Sequence, residues 1–405
     1  MSQKPSSTRR QFLKTAGVAA AAPYVLTSNA LGAGNVPPAS DRIVVAGIGI
    51  GNMGQGDQVA FLRHPEVQYV AACDVRKRTL AAAKAKADNH YGNSDCETYN
   101  DYREILSRTD IDAVHVATPD HWHAIIVTDA CRSGKDVYCQ KPETLTLREG
   151  PLMIEAARRY ARVVSGGSQR VLEDYRRIVD PCWGGHLGEI KEINVVNLSM
   201  SKRCNLAEQP LDPDIDWEMW LGPAPWAPYN AARCDGNYST EGGSWRSYDD
   251  YSGGAITDWG AHHFGGATFA VDVREMQPKS VRFERGPRGP YLTFEYPNGL
   301  LFHHNHPEMQ HLQVIGDGNK RAAKAVPRYK GRGGIYGDFI ECVKTRERPF
   351  RDIELAVNTM VVCHLGAAAY KLQRSLTWDE AAQEFPGDVE ANRLLDRARR
   401  EPWVL

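Results

Sequence analysis

No acidic side chain occurs in the first 40 residues, although aspartate and glutamate make up 50 of the 405 residues of the chain. The same stretch holds four basic residues: Lys4, Arg9, Arg10 and Lys14. Behind the arginine pair, residues 16–26 form an alanine-rich apolar run that is too short to span a bilayer. The sequence TRRQFLK at 8–14 is typical of a bacterial twin-arginine export signal.

The small residues at 28–33 offer two cleavage sites for a signal peptidase. An ordinary N-terminal helix is the alternative interpretation, but it does not explain the nearly complete motif. We therefore expect residues 1–34 to be a twin-arginine signal peptide and linker. The expected partner of this segment is the twin-arginine export machinery, and the expected location is the periplasm.

The chain also lacks an excess of either charge, since its formal net charge is −1 at pH 7. Removing the four cations of the leader makes the remainder mildly acidic, so nothing favours nucleic acid or an anionic lipid surface as a partner. No other apolar run in the sequence is expected to be long enough to cross a membrane. We expect no stable membrane span in the mature protein.

The nine cysteines lack the CxxC spacing that is typical of zinc and redox sites. A protein that is exported after folding in a reducing cytoplasm does not need disulfides. Most of these cysteines are therefore expected to be buried thiols, and no metal site is expected from their pattern.

Short β-branched runs alternate with helical segments in the first half of the chain. The runs at 42–48, 67–73, 113–117 and 136–139 have the composition of strands. This alternation predicts an α/β fold, with a doubly wound parallel sheet of the Rossmann type over residues 35–165.

The pattern changes over residues 166–405. Strand-like runs at 190–200, 280–284, 291–296, 300–306 and 311–315 are joined in several places by turn sequences such as Pro-Asn-Gly. Helices are predicted at 335–345 and 353–372. We expect an α+β domain for substrate binding and oligomerisation, built on a large, mostly antiparallel open sheet.

A glycine motif follows the first predicted strand and precedes a helix. Its residues are Gly49, Gly51, Asn52, Met53 and Gly54. GxGxxG alone is a weak signal, but a strand before it, a helix after it and Asp74 about 20 residues on are the context of a dinucleotide site. Asp74 would accept hydrogen bonds from the adenine ribose and repel a 2′-phosphate, which favours NAD. Arg76 could accommodate that phosphate, so NADP stays open.

Three further residues suggest a catalytic centre. Lys141 stands at the end of a predicted parallel strand, where ligand chemistry collects in open α/β sheets. Asp258 and His262 have a spacing that places both on one face of a helix. A carboxylate beside an imidazole fixes its tautomer and raises its basicity. The alternative is a helix-capping Asp above a core His.

Histidines and tryptophans in the second half offer weaker signals. His304 and His306 are expected to share one strand face and His303 the other, which leaves an incomplete metal ligand set. Trp245 and Arg246, together with His263, are candidate substrate contacts, because aromatic faces stack on sugar rings. Most of the other tryptophans are expected in the core or in an oligomer interface.

With these motifs the chain resembles the glucose–fructose oxidoreductase/inositol dehydrogenase (Gfo/Idh/MocA) family of sugar and cyclitol dehydrogenases, and within it an exported twin-arginine branch. The resemblance covers nearly the whole mature chain. The residues that carry it are the glycine motif, 117–119 with His123, Lys141 and Pro142, Asp258, His262, and the stretches 217–225, 252–263 and 361–366.

The resemblance implies roles for the catalytic candidates. Lys141 would stabilise the developing alkoxide of the substrate, and His262 would take the hydroxyl proton while the hydride leaves carbon. Asp258 would orient His262 and hold a neighbouring substrate hydroxyl. The cofactor-binding set would extend, besides the glycine motif and Asp74, to Thr118, Pro119, His123, Lys141 and Gln169.

Three positions depart from the family pattern. Gln140 stands where Glu is common, Glu143 stands where an apolar residue is usual, and Gly265-Gly266 stands where an Asp commonly follows the His. Losing that Asp removes a polar contact near the pocket and puts substrate choice in doubt.

Three functions follow from these expectations. The first is an exported NAD(P)-dependent oxidoreductase acting on a sugar, sugar acid or cyclitol hydroxyl, with tightly held and recycled cofactor. The second is an NAD-dependent glycoside-cleaving enzyme on the same fold, and the third is a cofactor-binding protein without catalysis. A homo-oligomer, dimer or tetramer, is expected because an exposed apolar sheet would otherwise be a liability.

Overall fold

The computed structural model describes residues 37–196, 198–235 and 244–405. The predicted leader at 1–34 lies outside the described residues, so it stays a prediction. Residues 43–405 form one compact unit, and residues 37–42 belong to a separate unit. The described part of that separate unit contains a short 3-10 turn, Ala39–Asp41.

The first half of the large unit contains a six-stranded parallel sheet. Its strands are β1 (Ile43–Ile48), β2 (Val67–Cys73), β3 (Glu97–Tyr99), β4 (Ala113–Val116), β5 (Asp136–Cys139) and β6 (Val164–Gly166), in the order β3-β2-β1-β4-β5-β6. The helices between them are α1 (Asn52–Leu62), α2 (Lys77–Tyr91), α3 (Tyr102–Ser107), α4 (Asp120–Arg132) and α5 (Glu149–Arg159). This strand order confirms the doubly wound Rossmann prediction.

The second half contains a mixed six-stranded sheet. Its strands are β7 (Ile190–Val195), β8 (Ser280–Gly286), β9 (Gly289–Glu295), β10 (Leu301–His304), β11 (Val314–Gly316) and β12 (Leu376–Thr377), in the order β11-β7-β10-β9-β8-β12. Only the β7–β10 pair is parallel among these described pairs. The prediction of a mostly antiparallel sheet is confirmed.

Eight helices are described in the second half. They are α6 (Arg176–Trp183), α7 (Trp217–Leu221), α8 (Ala231–Cys234), α9 (Ala255–Asp258), α10 (Gly260–Ala270), α11 (Gly334–Thr345), α12 (Ile353–Leu372) and α13 (Val389–Asn392). Helices α10 and α12 pack against each other and against the second sheet. By length and composition α12 could cross a membrane, but 83 % of its apolar window is buried inside the protein, as in a core helix.

The cysteines and histidines clarify two expectations. All nine cysteines are free and six of them are buried, which confirms the prediction of buried thiols.

The expectation that His304 and His306 share one strand face is wrong, because Asn305 has a left-handed backbone (φ 63°) that turns the chain. The rings of His303 and His306 therefore lie 4.7 Å apart. Within the described ranges, no group of three or more His, Cys, Asp or Glu residues could hold a metal.

Candidate active site

The glycine turn between β1 and α1 is closely packed at two positions and open at one. A Cβ on Gly49, whose φ is +80°, would lie 2.7 Å from the backbone nitrogen of Thr118. A Cβ on Gly54 would lie 2.0 Å from the carbonyl oxygen of Gly49, whereas nothing lies within 4 Å of a Cβ on Gly51. The turn thus needs glycine at 49 and 54 for packing, and Gly51 leaves open space above it.

The N-terminus of α1 faces that open space. Gly51 is its N-cap and no side chain caps the helix, so backbone N–H groups of the first turn, which includes Asn52 and Met53, are available to a ligand. Free amides and the helix dipole together favour an anion. The residues present therefore fit the pyrophosphate of a dinucleotide.

A cavity of about 510 Å³ lies over the turn. It brings together predicted cofactor residues from separate elements with the substrate candidates Trp245 and Arg246. The predicted residues that line it are Gly49, Gly51, Asn52, Met53, Asp74, Thr118 and Pro119. Other walls come from Arg76, Asp212, Trp220 and Tyr229. The cavity is thus shared between the Rossmann sheet and the segment that follows β7.

Asp74 stands at the carboxyl end of β2, at the edge of this cavity. Its two carboxylate oxygens accept the backbone N–H groups of Ile50 and Arg76, each at 2.8 Å. Burial raises the pKa of Asp74, although both backbone hydrogen bonds lower it. Those bonds fix the carboxylate beside the glycine turn, where the sequence placed the ribose contact.

Lys141, Asp258 and Arg246 form a charged cluster at the carboxyl end of β5. The Lys141 ammonium donates to Oδ1 of Asp258, and Nη1 of Arg246 lies 2.9 Å from the same oxygen. The three side chains are 10 %, 2 % and 12 % exposed, respectively. One buried carboxylate therefore holds two cations in fixed positions.

His262 follows one helical turn after Asp258 but has a different partner. Its Nδ1 shares a hydrogen bond of 2.6 Å with the Ser168 hydroxyl. The pKa of His262 is lowered to about 2, first by burial and then by the positive charge of Lys141. The expectation that Asp258 orients His262 and raises its basicity is therefore corrected, because Asp258 instead binds the two cations.

The Ser168 hydroxyl also lies 3.4 Å from the carbonyl oxygen of Ala261, to which it donates. In that arrangement Nδ1–H of the neutral His262 ring donates to Ser168, and the lone pair of Nε2 stays available. His262 thus presents Nε2 as a hydrogen-bond acceptor, while burial and the neighbouring cations disfavour the protonated ring in the unliganded protein.

Gln140, the first departure from the family pattern, has a buried carboxyl partner. Its Nε2 donates to both carboxylate oxygens of Asp57, at 2.9 and 3.0 Å, and the Tyr336 hydroxyl donates to Oδ1 at 2.8 Å. Burial raises the pKa of Asp57 to about 7. A carboxyl group is therefore present next to Lys141 even though position 140 carries an amide.

Glu143 and Gly265, the other two departures, meet at Arg351. Nε of Arg351 lies 3.2 Å from Oε1 of Glu143, and both side chains are almost fully buried. A Cβ on Gly265 would lie 3.2 Å from Nη1 of Arg351, so glycine makes room for the guanidinium. The charge of Arg351 contributes to the low pKa of His262.

Seven predicted site residues do not line this cavity among the described residues: Gly54, the catalytic candidates Lys141, Asp258 and His262, and His123, Gln169 and His263. His123 braces the cavity wall from behind, since its ring nitrogens lie 2.7 Å from the carbonyl oxygen of Pro142 and 2.9 Å from that of Thr118. Nδ1 of His263 shares a hydrogen bond of 2.6 Å with the Tyr175 hydroxyl. Gln169 adjoins Ser168, and its buried Oε1 lacks a partner among the described residues.

Asp120, which the sequence argument missed, is a further buried carboxyl group in this region. It is 1 % exposed, and neither oxygen has a partner at hydrogen-bonding geometry among the described residues. Burial and the Asp258 carboxylate raise its pKa to about 8, against the charge of Arg246 and the nearby Ser252 hydroxyl. Asp120 is thus protonated in the folded protein at neutral pH.

Replacing Asp120 with Asn is expected to stabilise the protein more at pH 8 than at pH 5. The folded-state pKa of about 8 exceeds the ordinary value of 3.8, so the folded protein binds the extra proton and wild-type stability falls as pH rises between them. The gain in the free energy of unfolding should be larger at pH 8 by at least about 2 kcal/mol. Urea unfolding at both pH values measures it, and an equal gain at both would contradict the prediction.

Two family models match most of the chain. A family model described as an oxidoreductase family with an NAD-binding Rossmann fold matches residues 42–168. The model of the family's C-terminal alpha/beta domain matches residues 195–290 and 313–405. Together the two models cover the first sheet, part of the second sheet and the residues of the charged cluster, whereas β10 and most of β7 and β9 lie outside the matched ranges.

Relatives and solved structures agree with these models. "Glycosyl hydrolase family 109 protein 1" of Shewanella sp. (strain MR-4) is 31 % identical over 169 residues, which cover 37 % of each chain. The present chain therefore spans little more than a third of that relative's length.

Two solved structures are similar in fold. The WlbA dehydrogenase from Bordetella pertussis, in complex with NADH and UDP-GlcNAcA, has a TM-score of 0.58 and 14 % identity over 84 % of this chain and 99 % of that one. The aldose-aldose oxidoreductase from Caulobacter crescentus has a TM-score of 0.57 and 17 % identity over 83 % and 99 %. The chain belongs to the Gfo/Idh/MocA family of NAD-binding oxidoreductases.

Proposed function

We propose that this protein is an exported oxidoreductase that moves a hydride between tightly held NAD and a hydroxyl group of a sugar, sugar acid or cyclitol. The observation that carries the proposal is the buried cluster at the carboxyl end of β5. There an ammonium and a guanidinium share one buried carboxylate, the ammonium acts electrostatically on a neutral imidazole, and the guanidinium, that of Arg246, lines the cavity over the glycine turn.

Bound NAD supplies the acceptor for the hydride. The residues of the chain then handle the proton and the charge. His262 accepts the proton of the substrate hydroxyl at Nε2, while Ser168 fixes the ring through Nδ1. Lys141 donates a hydrogen bond to the same substrate oxygen and stabilises its developing negative charge. Asp258 keeps the ammonium in place.

A carbohydrate substrate is supported by two observations. Trp220 and Trp245 line the cavity, and indole rings stack well on sugar rings. The similar dehydrogenase WlbA was solved with a sugar nucleotide, and the similar enzyme from Caulobacter crescentus is an aldose-aldose oxidoreductase.

Tight cofactor binding follows from the proposed location. External nicotinamide dinucleotide is scarce, so an exported dehydrogenase must load its cofactor before export and keep it. A second substrate would then recycle the cofactor in place. Cell fractionation tests the location, and sedimentation analysis tests the dimer or tetramer that we propose to form through the face of the second sheet opposite α10 and α12.

The decisive experiment is mass spectrometry of the dinucleotide released by denaturing the purified protein, followed by a panel of sugars. Stoichiometric NAD, and the absorbance of reduced nicotinamide after addition of an active sugar, are expected. Protein that purifies without dinucleotide and shows no reduced nicotinamide with any sugar would contradict the proposal.

Glycoside cleavage is the second candidate, and the relatives named as glycosyl hydrolase family 109 proteins favour it. In this reaction transient oxidation of a ring hydroxyl acidifies the adjacent C–H. Elimination then releases the aglycone, water adds to the ring, and the hydride returns. Release of an aryl glycoside's chromophore with no net accumulation of reduced cofactor would support this reaction over net oxidation.

A further inference from the structure

A short segment from the second half of the chain, residues 212–216, runs along the end of β2; it is called the rim segment. Ile215 of the rim segment forms an antiparallel bridge with Arg76. Backbone hydrogen bonds of 2.9 and 3.0 Å flank this bridge on either side. The rim segment is thus fixed to the chain immediately after Asp74, the expected ribose contact.

Two carboxylates of the rim segment bind Arg76. Its Nη1 lies 3.4 Å from Oδ2 of Asp212 and 3.9 Å from Oδ2 of Asp214. Asp214 also accepts the backbone N–H of Arg78 at 2.9 Å and lies 3.1 Å from its Nε. The Arg76 side chain is 18 % exposed and that of Arg78 is 69 % exposed, so Arg76 is the guanidinium that the rim segment fixes.

The wall of the cavity that Asp74 and the rim segment form therefore carries more negative than positive charge. Asp74, Arg76, Arg78 and Asp212 all line it, and Asp214 lies directly behind. Three carboxylates face two guanidinium groups at the position of the adenine ribose. A 2′-phosphate adds close to two negative charges, so its approach to this wall is disfavoured unless a guanidinium is released to pair with it.

We propose that Asp212 and Asp214 determine the choice of NAD over NADP by holding Arg76 away from the position of a 2′-phosphate. Arg76 has the guanidinium group and the position that suit that phosphate. In this structure the guanidinium is already paired with the carboxylates of the rim segment. Asp74 alone does not account for the selectivity in this arrangement. The inference rests on dinucleotide binding and not on the proposed reaction.

The test compares three variants of the full chain after removal of bound dinucleotide: Asp74→Ser, Asp212→Asn with Asp214→Asn, and all three together. Asparagine preserves the shape of the rim segment and its acceptance of backbone N–H groups. The dissociation constants of NADH and NADPH are measured by titration calorimetry without substrate.

Asp74→Ser alone is expected to raise NADPH affinity by less than about threefold, because it removes only one of three carboxylates and Arg76 is still held. The triple variant should bind NADPH at least about tenfold more tightly, as one charge-assisted hydrogen bond to phosphate provides. Adding Arg76→Ala should remove that gain. This last variant is the matched control, because it separates a specific contact from a general reduction of negative charge.

A full gain from Asp74→Ser alone, or a triple variant that binds NADPH no better than Asp74→Ser, would overturn the proposal. If the triple variant does not fold, Asp74→Ser with Asp212→Asn replaces it. A smaller gain in NADPH affinity that Arg76→Ala abolishes would then support the proposal. No gain in NADPH affinity would contradict it. None of these measurements depends on whether a sugar is oxidised.

Discussion

Replacing Lys141 with Ala is expected to lower kcat about a thousandfold, because the ammonium no longer stabilises the alkoxide that forms on the substrate. Arg246 remains 2.9 Å from the Asp258 carboxylate, so the buried charge keeps a partner and the variant should fold. The measurement is the single-turnover rate at which an active sugar reduces the bound nicotinamide.

Lys344→Ala is the matched control for this prediction. Lys344 pairs with Glu66 on the surface at 2.7 Å and is 38 % exposed, so its loss should leave kcat unchanged. The NAD content of Lys344→Ala should equal that of the wild type, and the rates are compared per bound NAD because Lys141 is also a predicted cofactor contact. Retention by Lys141→Ala of more than about a tenth of the wild-type rate would show that Lys141 is not a catalytic residue.

Replacing Gly51 with Val is expected to weaken NAD binding at least about a hundredfold, because the side chain fills the space that the pyrophosphate needs. Among the described residues nothing lies within 4 Å of a Cβ at this position, and its φ of −67° lies outside the left-handed region. The free energy of unfolding of the dinucleotide-free protein should fall by no more than about 1 kcal/mol, the cost of a poorer N-cap.

Gly54→Ala should give the opposite result and serves as the comparison. Its methyl group would lie 2.0 Å from the carbonyl oxygen of Gly49, so the variant should lose about 2 kcal/mol of stability from overpacking. Urea unfolding and titration calorimetry separate the two variants. Wild-type NAD affinity in Gly51→Val would contradict the placement of the cofactor over this turn.

The first sheet and the glycine turn could be predicted from sequence because their signals are local. The run at 67–73 and the helix at 353–372 coincide with β2 and α12, since each has a continuous apolar pattern. β3 and α3 were missed, because the strand has only three residues and the helix six. The sequence between β7 and α9 has little periodicity, and the position of its described part at 212–216 depends on contacts with the distant residues 75–78.

The partners within the candidate site could not be predicted for the same reason. Lys141 and Asp258 are 117 residues apart, and Ser168 and His262 are 94 residues apart. The spacing of Asp258 and His262 predicted one face of a single helix, whereas Asp258 ends α9 and His262 lies in α10. The spacing also could not show that two cations would take the carboxylate. Asp120 gave no sequence signal beyond its place at the start of α4.

The residues at 140, 143 and 265 have a consequence for engineering this protein, because each of them contacts the side chain of Asp57 or Arg351. Glutamate at 140 would face the buried Asp57 carboxyl group, and an apolar residue at 143 would leave the Arg351 guanidinium without its carboxylate. A side chain at 265 would crowd the same guanidinium. Restoring the common residue at 140 or at 143 alone should therefore cost stability unless position 57 or 351 is exchanged with it.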